Sequence, residues 1–158
     1  MPIEKLIPLL AEGVRDTLYM TTVSTLFAYL LGLPLAIVLV LTAPGGLRPM
    51  AMLYRALDAV VNVLRSIPFL ILMILVIPLT RLIAGRAYGS TATIVPLVIA
   101  AAPYVARMIE SSLLEVDPGV IEAAQSMGAS IPALIFKVLI PEAKTSLVVG
   151  ATISTGTI

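Results

Sequence analysis

Cysteine and histidine are both absent from the 158 residues of this chain. The first absence excludes disulfides, a thiolate nucleophile and thiolate metal sites. The second removes the commonest general base and the commonest nitrogen ligand for metals. Charge is scarce as well: ten bases and nine acids make up 12% of the residues and leave a net charge of +1. Binding to a phosphate backbone calls for a basic stripe, so no nucleic-acid partner is expected. There is no glycine-rich phosphate loop, and Gly45-Gly46 reads as a turn. Lys144 and Ser146 fall on different faces of a helix, which argues against a Ser–Lys pair. Asp16, Asp58 and Asp117 each lie beside a helix cap or a membrane boundary, and none reads as a mid-span acid. The expectation is no catalytic residue, no metal and no cofactor held by the chain itself.

What is present is apolar. Hydrophobic residues make up 59% of the chain, and the mean hydropathy is +1.10. A soluble domain is typically about 45–50% apolar, so this chain belongs with membrane proteins. Residues 17–47 and 87–106 contain no charge, and a crossing needs roughly 20 apolar residues. The predicted architecture is all-α and polytopic. Residues 1–16 form an amphipathic segment, with Ile3, Leu6, Ile7, Leu10 and Val14 at helical spacing, suited to the membrane surface. Residues 17–158 form the transmembrane domain. Its spans are expected over 17–41, 57–79 and 91–108, with a turn at 81–89 and a fourth span starting near Ala143. That last run is expected to continue beyond Ile158, with its polar Thr152, Ser154 and Thr155 either lining a wet pathway or bonding back to their own helix. The second span is unusual, because Arg65 lies within it ahead of Ser66-Ile67-Pro68. An arginine at mid-bilayer is costly, so Arg65 is expected at the cytoplasmic interface or facing a water-filled cavity. No mid-span acid or base suggests ion-driven transport, which favours an external energy source.

Residues 107–144 hold five acids and three bases and are too charged to span. They carry helix signals nonetheless. Asp117 suits an N-cap with Pro118 at the first helical position, Gly128 suits a left-handed C-cap, Ser130 suits a second N-cap, and Pro141 suits the start of a further helix. In the first of these helices Val120, Ala123, Ala124 and Met127 share one face. Small alanines allow close approach of a partner, and methionine adapts to an irregular groove. Glu122 and Gln125 point to the rim. On physics alone the same stripe also suits a helix lying on the protein's own spans.

Glu122-Ala123-Ala124, with Gly128 and then Ile140-Pro141, resembles the signature loop of bacterial ABC importer permeases, the binding-protein-dependent transport inner-membrane components. The wider text is similar to the methionine importer permeases within that family: residues 65–69 (RSIPF), 94–97 (IVPL), 101–103 (AAP), 106–108 (ARM), 113–115 (LLE), 127–129 (MGA), 137–139 (KVL) and 141–143 (PEA). The resemblance runs from about Thr17 to the end of the sequence. It implies a type I importer fold with five spans in the full family pattern, four of them visible here. It also implies a cytoplasmic ATPase dimer that binds Mg-ATP, a substrate-binding lipoprotein outside, and a second permease copy. The coupling residues implied are Glu122, Ala123, Ala124, Met127, Gly128, Ile140 and Pro141, with Arg65 and Pro68 in gating or structural roles. The function implied is ATP-driven import of methionine (D or L) across the bacterial inner membrane, the permease itself being no enzyme. The alternatives are a permease for another amino acid or small polar solute, and a membrane assembly protein whose loop binds a partner other than an ATPase.

Orientation follows from charge and from parity. Arg48, Arg55, Arg65, Arg107, Lys137 and Lys144 flank one side, against Lys5, Arg15, Arg81 and Arg86 on the other. That excess places residues 107–144 inside and the N-terminus outside.

Overall fold

The computed structural model describes residues 3–157; the side chains of Ile3 and Leu6, part of the predicted amphipathic stripe, lie outside the described set. The first helix, α1, is Ile3–Thr42, unbroken. The boundary expected at residue 16 is therefore not a break. No helix breaker stands between Val14 and Leu31, and Ile7, Leu10, Val14 and Leu18 are exposed rather than laid against the protein. Forty residues at 1.5 Å each give about 60 Å, roughly twice a bilayer's hydrocarbon core. One end of α1 thus extends past the apolar layer, and Glu12, Arg15 and Asp16 belong to that end.

The other long apolar helix is α5, Ser90–Leu114, and α1 packs chiefly on it. The two run parallel. At one end the Ser90 hydroxyl donates to the Asp16 carboxylate. Midway, Gly32 sits against Ala102, Val105 and Ala106. Farther on, Val40 joins Leu113 and Val116 in the core. Small residues make the crossing close, as is usual where no hydrophobic effect draws helices together in lipid. A Cβ on Gly32 would come within 2.8 Å of Val105 Cγ1 and 3.2 Å of the Ala102 carbonyl oxygen.

Between them lie α2 (Ala51–Ser66), α3 (Phe69–Leu75) and α4 (Ile77–Ala84). The span expected over 57–79 is not one helix: α2 and α3 meet at 108°. The cause is local. A residue before proline is pushed out of the helical region, and Ile67, ahead of Pro68, has φ −79° and ψ 123°. Because α1 and α5 are parallel, residues 43–89 must return the chain from the Thr42 end to the Ser90 end. The second segment is thus a broken crossing and not a re-entrant loop. The predicted turn at 81–89 begins later than expected, at Gly85, which caps α4.

After α5 come α6 (Pro118–Ser126), α7 (Ile131–Leu134), a π-helical turn (Ile135–Leu139), α8 (Ile140–Glu142) and α9 (Lys144–Thr157). Helix α9 climbs back along α5, and a Cβ added at Gly150 would stand 3.6 Å from the end of the Met108 side chain. Its fourteen described residues are fewer than the roughly 20 that a crossing needs.

Candidate functional site

Helix α6 is fixed at both ends. The Asp117 carboxylate accepts the Gly119 amide at 2.7 Å, and Pro118 opens the helix. At the other end Gly128 has φ +79°. Its amide donates to the Gln125 carbonyl at 2.9 Å, and the Ala129 amide donates to Ala124 at 3.1 Å. That pair of bonds closes a Schellman cap, which wants glycine at the left-handed position. Both capping expectations for this helix hold.

The predicted docking face needs one correction. Ala124 is 6% exposed and turned inward, with the neighbouring Ile121 packed toward the core around Ile135 and Leu139. Residues 121 and 124 lie three apart and line the inner face, so the outer stripe is Val120, Ala123 and Met127. Met127 is 81% exposed. Glu122 and Gln125 line a cavity of about 470 Å³ beneath the turn Pro44–Leu47. That turn folds onto the end of α1 through the Arg48 amide to Leu41 at 2.9 Å and Met50 to Thr42 at 3.1 Å.

Ser130 stands at the start of α7 but makes no side-chain cap bond. Pro141 stands in the first turn of α8, as expected. It continues an almost unbroken helical path from Ile131, and the turn just before it is widened to the π form, with the Ile140 amide reaching back to Ile135. Proline lacks the amide that its own turn needs and crowds the preceding carbonyl, and the wider turn absorbs that misfit. Ile140 is half-buried against the core, and Pro141 is exposed. The segment 131–142 is therefore the shelf on which the inner face of α6 rests.

Arg65 is not at the end of its segment nearest the Thr42 side, the placement preferred from the sequence. It ends α2 about 14 residues in, roughly 21 Å along the helix axis, and lines a cavity beside Leu97, Ala101 and Tyr104 of α5. Pro68 sits at the break itself.

A group that the sequence reading passed over lies one level lower. Arg107 bridges α5 to α2: it is paired with Asp58, with Glu110 at 2.6 Å and with the Asn62 side-chain oxygen at 3.3 Å. Asn62 in turn donates to Asp58 at 3.1 Å. Glu110 is 5% exposed, a buried carboxylate that requires such a partner. One signal was available: the spacing of Arg107 and Glu110 on one helix face.

The pathway candidates diverge. Thr152 and Thr155 are exposed and bond back to Val148 and Ala151 at 3.0 and 2.9 Å. Ser154 is fully buried, donating to Gly150 at 2.7 Å and accepting from the Tyr29 hydroxyl at 3.4 Å. It fastens α9 to α1 within the chain and lines no open path. Among the described residues no three acids gather as a metal site.

A membrane bundle carrying an exposed, doubly capped helix on a rigid shelf is the plan of an importer's membrane subunit. The chain belongs to the family of binding-protein-dependent transport system inner membrane components, whose pattern matches residues 29–158. It is 49% identical over 151 residues to the D-methionine transport system permease protein MetI of Salmonella typhimurium, covering 96% of this chain and 70% of that one. It is 48% identical to the Escherichia coli K12 protein of that name, with the same coverage. A structure of the MetNI methionine ABC transporter in inward-facing conformations contains a chain that superposes with a TM-score of 0.95. That match is at 48% identity and covers 99% of this chain and 72% of that one.

Proposed function

We propose that this chain is the permease subunit of an ATP-driven methionine importer in the bacterial inner membrane. It works as a second copy's partner, with a cytoplasmic ATPase dimer below and a substrate-binding lipoprotein outside. The observation that carries this reading is the outer stripe of α6. Val120, Ala123 and Met127 are exposed on a helix capped at both ends and seated on the 131–142 shelf. An apolar stripe on so stiff a lever suits transmission of a rigid-body motion. The names of the relatives supply the substrate.

In this reading the permease does no chemistry. Mg-ATP is bound and hydrolysed on the ATPase. Closure of the two ATPases pulls α6, and α6 carries the shelf and the adjoining end of α5. Arg107 pins α2 to α5, so the lower half of the broken crossing follows. The bend at Pro68, with Pro96 and Pro103 inside α5, supplies the flexible points. The N-terminus lies outside, since an odd number of crossings separates it from a loop that meets a cytoplasmic ATPase.

The test is reconstitution of the chain with its ATPase and binding protein in proteoliposomes. ATP-dependent uptake of methionine is expected, and uptake of other amino acids in preference to methionine overturns the substrate. Reporter fusions at Arg15 and Ser130 test the topology: an enzyme active outside is expected at the first and one active inside at the second. Matching signals at both sites refute it.

A further inference from the structure

Two arginines on α2 and α5 have opposite surroundings. Arg107 is enclosed by Asp58 and Glu110. Arg65, two turns along α2 from Asp58, has no hydrogen-bonding or ion-pair partner among the described residues, is exposed, and borders a cavity of about 700 Å³. The rest of that wall is mostly apolar, from Phe69, Leu97, Ala100 and Ala101. A guanidinium is always charged, and beside a mostly apolar wall an unmet cation calls for an anion.

The break in the helix supplies the complementary charge. The last carbonyls of a helix have no internal donor and form the negative end of its dipole. At the end of α2 the Val63 carbonyl is taken by the Ser66 hydroxyl at 2.8 Å. Among the described residues no backbone amide reaches the carbonyls of Leu64, Arg65 or Ser66: Pro68 has none, and the amides of Ile71 and Leu72 turn to Pro68 instead. Leu64, Arg65, Ser66 and Ile67 all border the cavity. One end of one helix therefore presents a cation and free acceptors together, beside a mostly apolar wall.

We propose that this cavity binds the zwitterionic backbone of a free amino acid during passage, Arg65 taking the carboxylate, the free α2 carbonyls taking the ammonium, and Phe69 and Leu97 flanking the side chain. The proposal rests on the importer reading above and adds to it a site within the permease. Discontinuous membrane helices present their ends to charged solutes in this way. A site that reads both charges accepts free amino acids and rejects derivatives lacking either one, because the unmatched group is then left buried and unpaired. The broken crossing thereby acquires a purpose beyond bending.

These 158 residues contain no cysteine, so a thiol introduced among them can be followed. Ala100→Cys is introduced into the permease, assembled with its ATPase in lipid nanodiscs without nucleotide or binding protein, and its modification by a small methanethiosulfonate is timed. Methionine is expected to slow modification. Methionine amide, which lacks the carboxylate, and 4-methylthiobutanoate, which lacks the ammonium, are expected to need roughly ten- to a hundredfold higher concentrations, the loss typical of one charged hydrogen-bonding group. Arg65→Gln in the same background is expected to raise the methionine concentration needed by a similar factor, and Arg65→Lys by less. The analogue series needs no change at position 65, so it decides the matter even where Arg65→Gln fails to assemble. Equal protection by the amide, or undiminished protection in an assembled Arg65→Gln complex, overturns the assignment. So does an introduced thiol that no reagent reaches, which would mean that lipid or the second copy fills the cavity. Absence of protection while the unmodified complex still imports methionine refutes the site and leaves the importer reading standing; absence of uptake refutes that reading itself.

Discussion

The α1–α5 crossing offers a comparison between two glycines on one helix. Gly13 and Gly32 both lie inside α1, yet an added Cβ at Gly13 meets nothing within 4 Å, and one at Gly32 meets Val105 Cγ1 at 2.8 Å and two α5 backbone atoms at 3.2 Å. Gly→Ala in a helix interior favours the helix by up to about 1 kcal/mol. At Gly13 that gain stands alone. At Gly32 it is opposed by overpacking, typically about 1–3 kcal/mol. The opposition is expected to win, because two of the three atoms met are backbone and the third belongs to a β-branched residue with little rotamer freedom. Gly13→Ala should therefore leave stability equal or higher, and Gly32→Ala should lower it by about 1 kcal/mol. The assay is reversible unfolding in mixed micelles, followed by helical circular dichroism. Val105→Ala removes the nearest atom, so the double variant Gly32→Ala/Val105→Ala should show a favourable coupling of roughly 0.5 kcal/mol or more. If Gly32→Ala proves as stable as Gly13→Ala, the close approach of α1 and α5 is wrong, and so is the parallel packing on which the second crossing depends.

Gly128→Val places a branched residue at φ +79°, a backbone cost on the order of 1–2 kcal/mol. The chain should still insert, and normal substrate-stimulated ATP hydrolysis in the assembled complex would count against a coupling role for α6. Ala123→Trp, on the outer stripe, should prevent the ATPase from co-purifying. Ala124→Trp should instead lower the thermal stability of the permease, because it forces bulk into the inner face, and the two effects exchanged would reverse the faces assigned here. Arg107→Leu strands the buried Glu110 carboxylate and should destabilise by roughly 3 kcal/mol, read as a lower unfolding midpoint. Adding Glu110→Gln should recover part of that loss, and no recovery would argue that the pair is not the source.

Much of this molecule was legible in one dimension because its determinants are local. The uncharged runs at 17–47 and 87–106 mark membrane helices by desolvation alone. Asp117, Pro118 and Gly128 delimit α6 because capping involves groups only two to five residues apart. The loop from Glu122 to Pro141 carries its family's pattern as text. Tertiary structure decided what depends on residues far apart in the chain. Whether Ala123 or Ala124 faced outward rested on where the 131–142 shelf lay, since two adjacent residues on a helix fit either side of a stripe. Asp58 and Arg107 stand 49 positions apart, and nothing in either segment names the other. Arg65 read as a charge at the interface or facing a cavity, and the packing of α2 beside the middle of α5 set it on a cavity wall. Even Ser154, a hydroxyl suited by type to a wet pathway, became a buried fastening through Tyr29, 125 residues away. Helix ends and hydrophobic lengths are written in neighbouring residues, whereas the side of a helix that meets its partner, and the depth at which a charge comes to rest, follow from how the helices pack.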